Sequence, residues 1–357
     1  MSHAVTKLPE RNLDVLRAAA VLCVVANHVV VAATPPPNPN WGWLGRVGVL
    51  IFFVHTALVL MGSLERSGGT RAGWIIRFYV RRAWRIYPLA IAAIIMALVL
   101  RVSQHLVVMG YPPPAFTSRD EGVVLSNMLL VQNLVLKPNI LGVLWTLPIE
   151  VQMYLALPFC FVVARQSVRA VLLLLGAGIV GALAWSAALP IPGLWRLGML
   201  AFVPCFLAGV LAYALLRRSI APRLSPSSTM LAFAALIAAF FLVAHARWES
   251  LAPQWAFCLA LGVVVAHGRE ISNSALSRVA HVIAKYSYGI YLLHQIALWI
   301  ALVKFGAVPH AVQWIIFSVL LVALPWGLFH LIERPGIVIG QRIVHQPVPR
   351  QTPVGAP

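Results

Sequence analysis

Ten stretches of this chain are long and apolar enough to cross a bilayer, and this limits its fold more than any other feature. Ala18 to Ala33 shows the pattern, with Asn27 and His28 as its only strongly polar side chains. The predicted spans are 14–33, 43–63, 86–104, 141–164, 168–189, 195–216, 229–246, 252–267, 283–303 and 312–332. In hydrocarbon a helix satisfies its own backbone donors and acceptors. The expected fold class is therefore an all-α membrane protein of about ten transmembrane helices over residues 1–345. A Pro-rich tail, 346–357, is expected to be disordered. Val123 to Leu136 is apolar but short and carries Ser126, Asn127, Gln132 and Asn133, so it reads as an interfacial or re-entrant helix.

Composition agrees: 61% of residues are hydrophobic and only 10% charged, whereas a soluble domain is about a quarter charged. The net charge of +18 would point to nucleic acid in a soluble protein. Here the basic residues punctuate the loops instead, so no nucleic-acid partner is expected; the partners are membrane lipids. With the N-terminus inside, 20 of the 27 lysines and arginines fall on the cytoplasmic side and 7 on the other. An even number of spans then places both termini in the cytoplasm. The first run carries Asp14, Arg17 and His28 with no small-residue cleavage site after it, so no cleaved signal peptide is expected. Cys23, Cys160, Cys205 and Cys258 lie inside apolar runs without C-x-x-C spacing, and neither a metal site nor a disulfide framework is expected.

Ionisable groups inside a bilayer are expensive and are functional candidates by default. His28, His55, Glu150 and His294 stand out. Arg17 and His28 are 11 residues apart, about three turns plus 20°, so they share one helix face about 16 Å apart along the axis. A cytosolic cofactor with phosphates near Arg17 would extend a long arm toward His28, a reach that suits pantetheine. Counting depth from either boundary places His28 and Glu150 within a few Å of one level, so a carboxylate–imidazole pair is possible if their helices are neighbours. Each of these histidines has a plainer role open to it, as a hydrogen bond between helices, and Glu150 as a structural hub. Arg82 and Arg85, at the end of a basic loop, neighbour each other on a helix and suit a pyrophosphate or a nucleotide phosphate; an anchor to anionic lipid is the alternative.

Several motifs, in order along nearly the whole chain, resemble the acyltransferase 3 family of membrane O-acyltransferases. Leu13-Asp14-Val15-Leu16-Arg17-Ala18 is similar to the family's opening L-D-G-L-R-A, and Arg17 to His28 to its R-x10-H signature. Arg82-x-x-Arg85 with Ile86-Tyr87-Pro88, and Trp145 to Tyr154 (W-T-L-P-I-E-V-Q-M-Y), resemble later signatures. Tyr286 to His294 (Y-S-Y-G-I-Y-L-L-H) and Glu333-Arg334-Pro335 complete the set. The resemblance implies a ten-helix domain and transfer of an acyl group, usually acetyl, from cytosolic acyl-CoA to a hydroxyl. Family acceptors include glycans, Nod factors and macrolides; a carbohydrate or glycolipid acceptor outside the cytoplasm is expected here. No cofactor is expected to remain bound, acyl-CoA being a co-substrate. Arg17 and His28 carry over as essential, with His28 as catalyst and Glu150 beside it. Arg82 and Arg85 carry over as contacts to the phosphates of coenzyme A. Asp14, His55, Tyr154 and His294 are expected to line a substrate cavity.

Two departures stand out. Gly48 to Ala57 (G-V-L-I-F-F-V-H-T-A) lacks the aspartate and the serine-glycine pair of the family's second helix, with His55 in the serine's place. No stretch resembles the SGNH domain of some members. The expected location is the bacterial inner membrane. A transporter using a His/Glu proton relay is the rival class, without the paired repeat of broken helices that such proteins carry. A non-catalytic scaffold would leave the alignment of Arg17 with His28 unexplained.

Overall fold

A computed structural model describes residues 8–33, 41–67, 73–102, 120–191, 193–218, 224–244, 250–272 and 274–345. Among them are twelve α-helices: α1 (Glu10–Ala33), α2 (Gly42–Arg66), α3 (Trp74–Leu100), α4 (Glu121–Met128), α5 (Thr146–Gln166), α6 (Val168–Ala188), α7 (Val203–Arg217), α8 (Pro226–Ala244), α9 (Leu251–His267), α10 (Ala275–Trp299), α11 (His310–Leu328) and α12 (Arg334–His345). The one β-type pairing among the described residues is a single bridge between Leu224 and Gly268. Short 3-10 segments, Gly142–Trp145 and Leu194–Phe202, lead into α5 and α7. One turn of π-helix ends α10 (Ile300–Lys304), and another (Phe329–Glu333) joins α11 to α12.

Nine of these helical stretches, counting each continuous run as one, are long and apolar enough to span a membrane. The chain is a multi-pass membrane protein. The remaining predicted span, the eighth in order, is α9; it has 17 residues and rises about 26 Å, a little short of a hydrocarbon core of about 30 Å. The tail from 346 lies outside the described residues. We call the end of the bundle where α1 begins the proximal face.

One expected boundary shifts. The third span begins at Trp74, after Gly73 in the left-handed region (φ 77°), rather than at Ile86. The basic stretch therefore lies within α3, and Arg82 and Arg85 turn into the bundle instead of ending a loop. A hydropathy window rejects such a segment because its charges are averaged in, whichever way they point. The stretch around Val123 to Leu136 does not span. α4 is only eight residues, and Asp120 caps it: its carboxylate accepts from Val123 N at 3.1 Å, which holds that carboxyl below its usual range. The chain then turns through Leu130 and Leu136, both at positive φ. Buried Asn127 holds the return segment by donating to Pro138 O (2.8 Å) and accepting from Ile140 N (3.0 Å). Two backbone groups of this return are thus satisfied by protein, as a re-entrant segment would require.

α2 and α7 are the most buried helices and form the core, with α1 against α2, α10 on α1, and α9 against α7. α6, α8 and α11 turn Leu173, Leu242 and Val322 outward, as a lipid-facing surface does. Close helix contact uses small residues. A Cβ on Gly48 of α2 would stand 2.5 Å from the Ala20 carbonyl oxygen of α1, and one on Gly209 of α7 would strike the Val54 carbonyl of α2. Gly48→Leu is accordingly expected to push α1 from α2 and destabilise the protein by at least about 1–3 kcal/mol. Thermal unfolding in detergent checks this; an unchanged midpoint would mean that the two helices separate freely.

Candidate active site

Two levels of polar residues lie on the face that α1 turns to α10. At the lower level the Arg17 Nε donates to Ser287 Oγ at 2.6 Å. At the upper level His28 meets His294, with His28 Nδ1 3.1 Å from His294 Nε2 and ring centroids 4.9 Å apart. Both side chains reach α10, so the common face read from the 11-residue spacing is formed.

Around Arg17 is a narrow cavity of about 100 Å³. Its polar wall includes His55, Thr56, Arg82, Arg85, Glu150, Tyr154, Ser287 and Tyr288. Glu150 accepts from the Tyr154 hydroxyl, one turn on in α5, and has the Thr56 hydroxyl within hydrogen-bonding reach. Arg85 Nη2 lies 3.3 Å from Glu333 Oε1 without hydrogen-bond alignment, and the Glu333 side chain is fully buried. The buried Nε of Arg82 has no hydrogen-bond partner. Three guanidiniums thus face two carboxylates, leaving an excess of positive charge in a confined space. That arrangement attracts an anion.

A roomier vestibule of about 640 Å³ shares Arg17, His55 and Val59 as a common wall with this cavity. Arg11, Asp14, Arg66, Arg278 and His281 line it toward the proximal face, and Asp14 Oδ2 meets His281 Nδ1 at 2.8 Å. At its far end the narrow cavity reaches Phe52 and Tyr291. From there rings continue to the upper level, with centroids 5.8 Å apart from Phe52 to Tyr291 and 6.4 Å from Tyr291 to His294. The Tyr291 hydroxyl is pinned by Thr146 Oγ1 (2.7 Å) and the Val143 carbonyl (2.9 Å). Gln295 accepts from Val143 N at 3.2 Å. The 3-10 turn before α5 therefore fixes α10 near His294.

The structure brings Arg17, His55, Arg82, Arg85, Glu150 and Tyr154 together and puts Asp14 at the vestibule wall. The expected meeting of His28 with Glu150 is not formed. α1 packs on α2 and α10, whereas α5 packs on α2 and α7, so α2 stands between the two residues' helices. Equal depth gave no information on which helices touch. His294, expected in a cavity wall, is instead fully buried against His28.

Sequence reasoning passed over Ser287, Tyr291 and Glu333 as site residues. Ser287, Tyr291 and His294 are spaced i, i+4, i+7, which places them on one helix face, and that spacing was available as a signal. Glu333 stands out in the sequence only as part of the Glu333-Arg334-Pro335 motif, and its pairing with Arg85 on a distant helix leaves no local signal.

The sequence profile described as an acyltransferase domain, that of acyltransferase 3, matches residues 10–330. The chain belongs to the acyltransferase 3 family. It is an acyltransferase, and the match takes in every residue of both polar levels except Glu333. The chain is 26% identical to nodulation protein 10 of Rhizobium leguminosarum bv. viciae, over 93% of this chain and 95% of that protein. It is 27% identical to the peptidoglycan O-acetyltransferase OatA of Listeria monocytogenes, over 51% of this chain and 29% of that protein. No solved structure matches the chain.

Proposed function

We propose that this acyltransferase moves an acyl group, acetyl in the simplest case, from acyl-CoA to a hydroxyl of a carbohydrate or glycolipid. The observation that carries the reading is that one helix bears Arg17 in an anion-attracting passage and His28 about 16 Å further along. The name of one relative, a peptidoglycan O-acetyltransferase, agrees with an O-acyl transfer to a glycan.

The excess of basic residues at the proximal face supports reading that face as cytoplasmic. The nucleotide of coenzyme A sits in the vestibule, whose size suits a ligand of that class, with Arg11, Arg66 and Arg278 on its walls. Arg17 holds the pyrophosphate at the junction. The narrow cavity is too small for a nucleotide and takes the pantetheine arm past Arg82 and Arg85. The thioester passes Phe52 and Tyr291 to reach His28. The acceptor hydroxyl approaches from the opposite face.

His28 removes the hydroxyl proton as the oxygen attacks the thioester carbonyl. The carbon–sulfur bond breaks, the new ester leaves with the acceptor, and the departing thiolate takes up the proton from the imidazolium.

Purified protein in lipid nanodiscs, supplied with labelled acetyl-CoA and glycan acceptors, tests the reading. Labelled ester on the acceptor with equimolar free CoA is the expected result, together with a lost acetyl increment on a glycan in a deletion strain. A deletion strain with unaltered glycans, and a protein that leaves acetyl-CoA intact, would overturn it.

A further inference from the structure

The contacts of the two histidines settle which nitrogen of each ring carries its proton. His28 Nδ1 lies 2.8 Å from the Val24 carbonyl oxygen, and His294 Nδ1 lies 3.0 Å from that of Ile290. A carbonyl oxygen only accepts, so in the neutral rings both Nδ1 atoms carry hydrogen. His294 Nε2 is then a bare lone pair, and it stands 3.1 Å from His28 Nδ1. The His28 Nδ1–H is shared between the Val24 carbonyl and His294. The opposite arrangement, with the proton on His294 Nε2, would face an unprotonated His28 nitrogen with the Val24 carbonyl at 2.8 Å. Two lone pairs at that distance repel.

What remains is the Nε2 of His28. It has no protein hydrogen-bond partner among the described residues, and His28 is half-buried where His294 is fully buried. His294 has both nitrogens engaged and no access to a substrate, so it is not itself the base.

We infer that His294 is a positioning residue: its Nε2 accepts the Nδ1–H of His28, holds that ring in one tautomer, and leaves the His28 Nε2 lone pair for the acceptor hydroxyl. In hydrolase triads a carboxylate does this and also balances the imidazolium charge. A neutral imidazole sets the tautomer without adding a fixed negative charge to an apolar layer, where an unpaired charge is expensive. The inference rests on His28 acting as the base.

The test uses the full chain in nanodiscs with 15N-labelled histidine, the His28 signals being assigned from their loss in His28→Ala. Wild type is expected to give one His28 tautomer, protonated at Nδ1. His294→Leu is expected to broaden or mix that tautomer and to lower kcat at least about tenfold. Its KM for acetyl-CoA should stay within about twofold, because the donor passage is untouched. His294→Gln, whose amide oxygen reaches the place of Nε2, should recover most of kcat.

A wild-type His28 protonated at Nε2 would overturn the inference without any variant. So would wild-type kcat in His294→Leu, or equal losses in the Leu and Gln variants with an unaltered tautomer. Full transfer in His28→Ala would instead remove the base reading on which the inference stands.

Discussion

His28→Ala is expected to lower acyl transfer by about 10²–10⁴-fold, the usual contribution of a positioned general base. The loss should fall on kcat. The vestibule and its arginines remain as they were, so acetyl-CoA still binds with an affinity close to wild type. Folding should survive, because His28 is half-buried and its hydrogen bonds are to its own helix and to one other ring. Initial rates of CoA release, with donor binding measured by calorimetry, separate the two effects. Retention of full rate would end the assignment of His28. Loss of donor binding would move its role from chemistry to recognition.

Arg85→Ala is expected to destabilise the protein by about 3 kcal/mol, toward the low end for breaking a buried ion pair. The Glu333 side chain is fully buried, while that of Arg85 is 26% exposed. Removing the guanidinium leaves a carboxylate in the bundle with no hydrogen-bond donor of its own. Arg17 is close enough to relieve part of the cost, which is why the low end is expected. Replacing both partners, Arg85→Ala with Glu333→Gln, should return most of the loss, because the stranded charge is then gone. Thermal unfolding of the two variants in one detergent decides the matter. A double variant no more stable than the single one would mean that packing of the arginine stem, not charge, supplies the effect.

The spans were legible because hydropathy is a property of single residues summed over a window, and the common face of Arg17 and His28 because helical phase is local. Arg82 and Arg85 were recognised as a pair for the same reason, three residues apart on a helix. Their place inside α3 was not, since an arginine facing a polar cavity and one facing water look alike in sequence. The partner of His28 was misread for a different reason. Depth along the membrane normal is one coordinate, and choosing His294 over Glu150 needed the other two. His55 was expected in a cavity wall and lies in the wall that the two cavities share; its departure from the family pattern marked the position.

The π turn at Phe329–Glu333 has a geometric consequence. The exposed stripe of α11 steps through Ile315, Val319, Val322 and Trp326, the spacing of a regular helix. Continued with the same period, it would next place position 329 or 330, and then 333, toward hydrocarbon. The stripe instead jumps five residues, to Leu331, and Glu333 swings inward to Arg85. One additional residue resets the rotational frame of everything that follows. A helix that had been reading outward to lipid is thereby able to deliver a carboxylate to the interior without a break in the chain's course.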